Sequence, residues 1–96
     1  MISTHVLDTE LGEPVGGMKV ALHRGEDLVS LQETDENGRI AELATSLEPG
    51  EYRLVFHVER GFFEKVELTI AITDVHRHYH VPLLVSSYQC TTYRGS

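Results

Sequence analysis

Between Glu51 and Glu59 the sequence places Tyr52, Leu54, Phe56 and Val58 at alternate positions, with Arg53, Val55 and His57 between them. A period of two is the mark of a strand with one buried face; no helix could bring those four side chains together. The same alternation recurs along the chain. Ile2, Thr4 and Val6 oppose Ser3, His5 and Leu7; Met18, Val20 and Leu22 oppose Lys19, Ala21 and His23; Val66, Leu68, Ile70 and Ile72 oppose Glu67, Thr69, Ala71 and Thr73. From Leu28 to Thr34 the pattern predicts Val29 and Leu31 inward, Ser30 and Gln32 outward. Turn chemistry separates the runs at Gly12 to Gly17, Asp35-Glu36-Asn37-Gly38, Leu47-Glu48-Pro49-Gly50 and Arg60-Gly61. About eight short strands with turns every ~8–12 residues, and no helical period, predict an all-β antiparallel sandwich. Residues 1–96 read as one domain, without repeats, low-complexity tracts or linkers.

A domain of 96 residues is near the lower end for comfortable stability alone, so contacts between subunits would help. The net charge of −7 argues against nucleic acid and anionic membranes as partners, since both require basic patches. No apolar run approaches the roughly 18 residues needed to span a bilayer. The opening Met1-Ile2-Ser3-Thr4-His5 has no basic start or apolar centre, so no secretory signal is visible and the expected location is cytoplasmic. The single cysteine, Cys90, agrees with a reducing compartment and reads as a small packed β residue.

The stretch richest in chemistry is His76-Arg77-His78-Tyr79-His80-Val81-Pro82-Leu83-Leu84-Val85, followed by Ser86-Ser87 and a last strand from Tyr88 to Tyr93. As a strand it sets Tyr79, Val81, Leu83 and Val85 toward the core and His76, His78 and His80 on the opposite face. Pro82 and Leu84 share the histidine face, so a second subunit or a ligand is expected there rather than plain solvent. Two imidazoles at i and i+2 can share a cation, but zinc wants three or four ligands and no Cys or acid pattern accompanies them, so no metal or other cofactor is expected. His23 and His57 read as surface residues.

The run His78-Tyr79-His80-Val81-Pro82-Leu83-Leu84, the final Tyr93-Arg94-Gly95-Ser96 and the opening His5-Val6-Leu7-Asp8 together resemble the transthyretin-like family, in its purine-degrading 5-hydroxyisourate hydrolase branch. The tetrapeptide is the most specific part of the likeness, because hormone-carrying transthyretins lack it. The resemblance implies a transthyretin-like sandwich of two four-stranded sheets, assembled as a homotetramer (a dimer of dimers). It implies an enzyme of urate catabolism that opens a ring amide of 5-hydroxyisourate to give 2-oxo-4-hydroxy-4-carboxy-5-ureidoimidazoline. Family members carry a longer segment, often with a short helix, where this chain has only Arg60-Gly61-Phe62-Phe63, and Glu64 stands where a proline is usual. That departure calls the helix into question.

Carried over residue by residue, the resemblance implies that His5, Arg39, His80 and Ser96 are catalytic and that His5, Arg39, Tyr93 and Arg94 bind substrate. In this scheme His5 and His80 handle the proton, His5 being the favoured base; Arg39 polarises the carbonyl, Tyr93 positions the ring, Arg94 supports the pocket and Ser96 closes it. Imidazoles titrate near neutral pH and a guanidinium donates in a permanent fork, which suits each to its part. The competing reading is a transthyretin-type tetramer that binds a small aromatic ligand without catalysis. Such a channel would favour apolar residues where this chain has His5, Arg39 and His80.

Overall fold

Ten strands and no helix make up the regular structure of the protein, here a computed structural model describing residues 1–96. They are β1 (Ile2–Asp8), β2 (Glu13–Pro14), β3 (Lys19–Arg24), β4 (Asp27–Glu33), β5 (Arg39–Ile40), β6 (Gly50–Arg60), β7 (Phe63–Ile72), β8 (Tyr79–His80), β9 (Leu83–Val85) and β10 (Cys90–Thr92). One sheet runs β4-β3-β6-β7, entirely antiparallel. The other is centred on β1: β8 and β9 lie end to end along one of its edges, both parallel to it, and β10 extends the sheet beyond β9. β5 and β2 lie end to end along its other edge, both antiparallel. Taking the interrupted strands as single rows, each sheet is four rows wide, as the alternation and the family likeness imply.

The two inner faces interlock as expected from the period of two. Phe56, Leu22, Leu54, Ile2, Val6, Leu83 and Val85 are completely buried. Packed around them are Val20, Tyr52, Val58, Ile72, Tyr79 and Val81. Thr4, the polar residue on the inner face of β1, donates its hydroxyl hydrogen to the Val81 carbonyl at 2.6 Å, which removes the cost of burying it.

Strand β4 faces the opposite way from the sequence expectation. Its register pairs Gln32 with Val20 and Ser30 with Leu22, so these two polar residues share the inner face with the core valine and leucine. Val29 and Leu31 are exposed instead. The cause is a local trade. Ser30 Oγ donates to the Leu43 carbonyl and Gln32 Nε2 donates to the Glu42 carbonyl at 2.9 Å, satisfying backbone acceptors of the irregular segment after β5 that covers this corner.

The β6–β7 connection is a two-residue turn, Gly61-Phe62, with no helix. Phe62 N–H donates to the Ser87 carbonyl at 2.7 Å, and Arg60 pairs with Asp8 of β1 at 2.8 Å, tying the hairpin to the opposite sheet. The histidine strand is also shorter than expected. It begins at Tyr79, and His76 lies in a turn capped by Asp74 Oδ1 on its N–H at 2.9 Å, so His76 does not continue the row of His78 and His80.

Candidate active site

The turn at residues 35–38 builds the first part of the site. Gly38 N–H closes it on the Asp35 carbonyl at 2.9 Å, and Asp35 Oδ1 accepts from the N–H groups of Asn37 and Arg39, both at 2.9 Å. Gly38 has φ +76, and a Cβ there would lie 2.4 Å from the Val6 carbonyl oxygen, so the position accepts only glycine. The Gly38 carbonyl in turn accepts from Val6 N–H at 2.7 Å. The turn is thereby clamped to β1, and the next residue, Arg39, is delivered directly opposite His5 in the β1–β5 pair.

Directly opposed residues on paired strands share a face. His5 and Arg39 are one such pair, and Ser3 and His80 are another across β1 and β8. Ser3 and His5 are two apart on β1, so all four side chains fall on the outer face of the β1 sheet. This is how residues 5, 39 and 80 meet, a convergence that sequence spacing could not supply. His5 Nε2 lies 2.9 Å from the Asn37 carbonyl. A carbonyl can only accept, so neutral His5 carries its proton on Nε2 and leaves Nδ1 bare.

On the other flank, Ser3 Oγ lies 2.7 Å from His80 Nδ1 and 2.6 Å from His78 Nε2. Ser3 is not among the sequence candidates, and His78 enters there only as part of the histidine face. The signal was present in the period of two, which puts Ser3 beside His5 and His78 beside His80. A cleft of about 450 Å³ opens over this group, lined among others by Ser3, Asp35, Arg39, His78, His80 and Ser96.

The final residues add a short backbone extension to His80. Gly95 N–H donates to the His80 carbonyl at 2.7 Å, and His80 N–H points back to the Ser96 carbonyl at 3.5 Å. Gly95 lies flat against the imidazole: a Cβ there would come within 2.6 Å of His80 Cδ2. Ser96 therefore reaches the polar cleft, but Tyr93 and Arg94 do not. They line a separate, mainly apolar cleft of about 380 Å³ together with Leu68, Ile70, Tyr79 and Val81, between β7 and the end of the chain. The Arg94 guanidinium covers the Tyr79 ring at 4.6 Å and its Nε donates to the Ser96 carbonyl at 3.2 Å. Within one chain the six sequence candidates thus divide: His5, Arg39, His80 and Ser96 on one side, Tyr93 and Arg94 on the other.

Partial burial holds the His80 imidazole below its ordinary pKa, and the positive charge of Arg39, with smaller contributions from His78 and His5, lowers it further. His80 is therefore neutral at pH 7 and able to accept a proton. Arg39 beside it is a fixed cation able to stabilise a developing oxyanion. The neutral His80 imidazole and the Arg39 guanidinium over one small cleft, with His5 of fixed tautomer paired to Arg39 on the same face, can activate water and polarise a carbonyl. No three His, Cys, Asp or Glu side chains converge as a metal site.

The sequence matches the HIUase/Transthyretin family over residues 2–95. It is 40% identical to 5-hydroxyisourate hydrolase 2 of Rhizobium meliloti, over 99% of this chain and 95% of that protein. It is 34% identical to the 5-hydroxyisourate hydrolase of Salmonella typhimurium, over 100% of this chain and 81% of the other. Among solved structures, Klebsiella pneumoniae 5-hydroxyisourate hydrolase superposes with a TM-score of 0.91 at 31% identity, covering 99% of this chain and 98% of that one. Sea bream transthyretin in complex with thyroxine gives 0.84 at 27% identity, covering 97% and 92%.

Proposed function

The chain belongs to the HIUase/Transthyretin family, and from that premise we propose that it hydrolyses 5-hydroxyisourate in urate breakdown. The observation that carries the reading is the grouping of His5, Arg39 and His80 on one sheet face, each held by backbone pairing. His80, neutral at pH 7, takes a proton from a water in the cleft. The resulting hydroxide adds to the ring carbonyl carbon, and the oxygen that gains negative charge is met by Arg39. Collapse of the tetrahedral adduct breaks the C–N bond. The leaving nitrogen takes back the proton, and the carbonyl carbon becomes a carboxylic acid that loses its own proton to solvent as a carboxylate.

His5, with Nε2–H committed to Asn37, offers bare Nδ1 as a second acceptor of substrate or water hydrogens. It shares the proton-handling role with His80. Ser96 bounds the cleft. Tyr93 and Arg94 line the other cleft of their own chain and act on substrate from a neighbouring subunit. We take the assembly to be a homotetramer. Support comes from the unpaired sheet edges at β7 and β10, which adjoin across one cleft, and from a catalytic cleft left open on an outer sheet face. The lone, half-buried Cys90, whose thiol burial pushes upward in pKa, fits a reducing cytoplasm.

The test generates 5-hydroxyisourate in situ from urate and urate oxidase and follows decay of its absorbance. Added protein should accelerate the decay well beyond buffer. Decay at the buffer rate, with saturable binding of a small aromatic ligand, would instead favour a transthyretin-type carrier.

A further inference from the structure

A serine hydroxyl has one hydrogen, yet Ser3 Oγ stands at hydrogen-bond distance from two imidazole nitrogens, His80 Nδ1 at 2.7 Å and His78 Nε2 at 2.6 Å. No third acceptor lies within hydrogen-bond distance of Ser3 Oγ, so its hydrogen goes to one ring while a lone pair takes the N–H of the other, and the two rings are held in opposite senses. In one arrangement His80 Nδ1–H donates to Ser3, Ser3 O–H donates to His78 Nε2, and His80 Nε2 is bare. In the other arrangement every hydrogen is shifted and His80 Nε2 carries the proton. Ser3 is buried at 7% exposure, whereas His78 is exposed to solvent. The rings stand nearly perpendicular with centroids 6.4 Å apart, linked only through that hydroxyl.

We propose that Ser3 and His78 are positioning residues that relay the proton taken by His80 out to the solvent side, so that the half-buried imidazole passes through the reaction without becoming charged. The proposal rests on the reading of His80 as a proton-handling group. A water O–H breaks and His80 Nε2–H forms; His80 Nδ1–H breaks and a new Ser3 O–H forms; the old Ser3 O–H breaks and His78 Nε2–H forms. Hydroxide adds to the carbonyl, His80 remains neutral, and His78 ends as an imidazolium with hydrogens on both nitrogens. When the leaving nitrogen takes the proton from His80 Nε2, the chain runs backward and all three residues are restored.

The surroundings make the export useful. The charges of Arg39 on β5 and His5 on β1 act on His80, and Asp35, the one Asp or Glu lining the cleft, already has one carboxylate oxygen committed to two backbone N–H groups. A positive charge left on His80 would sit beside the Arg39 guanidinium in a partly desolvated position, whereas on His78 water solvates it.

His78→Gln is the decisive variant, because the residue is exposed and glutamine keeps a hydrogen bond to Ser3 but cannot take up a proton. The relay predicts kcat about 10-fold lower with KM unchanged, a part of the roughly 10²- to 10⁴-fold that acid–base assistance supplies. It also predicts partial recovery of His78→Ala in imidazole buffer. Ser3→Ala combined with His78→Gln should be no worse than the more damaging single change, since each breaks the same chain. Wild-type kcat and pH profile in His78→Gln, alongside an inactive His80→Ala, would overturn the relay while leaving His80 in its role. Full activity in His80→Ala would overturn both.

Discussion

At the scale of single residues, the site depends on three imidazoles, one with its tautomer fixed and two with theirs coupled, and on one guanidinium. The Asn37 carbonyl fixes His5, the Ser3 hydroxyl couples His80 to His78, and Arg39 works on His80 through charge. Because burial and Arg39 depress the His80 pKa, its basic form persists below the usual histidine range. The acid limb of kcat/KM should therefore lie below about 6.5. Arg39→Met removes the cation, which lets the His80 pKa rise. The residual activity should fall by about 10²- to 10³-fold and its acid limb should move to higher pH, as measured by a pH–rate profile. Gly95→Ala tests a different contact. The added methyl would press on His80 Cδ2 while the ring is held by Ser3, so kcat should drop with the melting temperature little changed.

At the scale of elements, the reverse turn and the parallel pairing with β8 do the assembling. Asp35→Ala removes the acceptor of two backbone N–H groups just before Arg39. It should cost about 1–2 kcal/mol in urea denaturation and also loosen Arg39, lowering activity. The core strands behave as their alternation dictates, so Phe56→Ala, from full burial, should cost about 3–5 kcal/mol. Leu31→Lys, on the exposed face of β4, should change stability by no more than about 0.5 kcal/mol.

That contrast marks where the sequence was and was not sufficient. Apolar alternation placed β1, β3, β6 and β7 correctly because burial on one face dominated each. It failed for β4, where Ser30 and Gln32 gain more from two backbone acceptors than Val29 and Leu31 would gain from burial at that edge. The turn at Asp35 to Gly38 was legible from its composition. The meeting of residues 5, 39 and 80 was not, because strand order and register are tertiary facts. The family likeness supplied that grouping, while the period of two put Ser3 and His78 on the same face and only the register joined them to His80.

At the scale of the whole molecule, two sheets close over one core and leave the candidate chemistry on an outer face rather than inside the sandwich. Neighbouring unpaired edges at β7 and β10, with an apolar cleft between them holding Tyr93 and Arg94, give a small domain a surface on which to gain stability by association. Sedimentation equilibrium should find a mass of several chains, and Thr92→Pro, at the β10 edge, should shift it toward the monomer. The most direct test of the central claim is turnover of 5-hydroxyisourate by His5→Ala, Arg39→Ala and His80→Ala beside the unaltered chain, each checked for folding by circular dichroism. Rapid hydrolysis by the unaltered chain and losses of at least about 10²-fold in each folded variant are expected. Equal rates in all four proteins would contradict it.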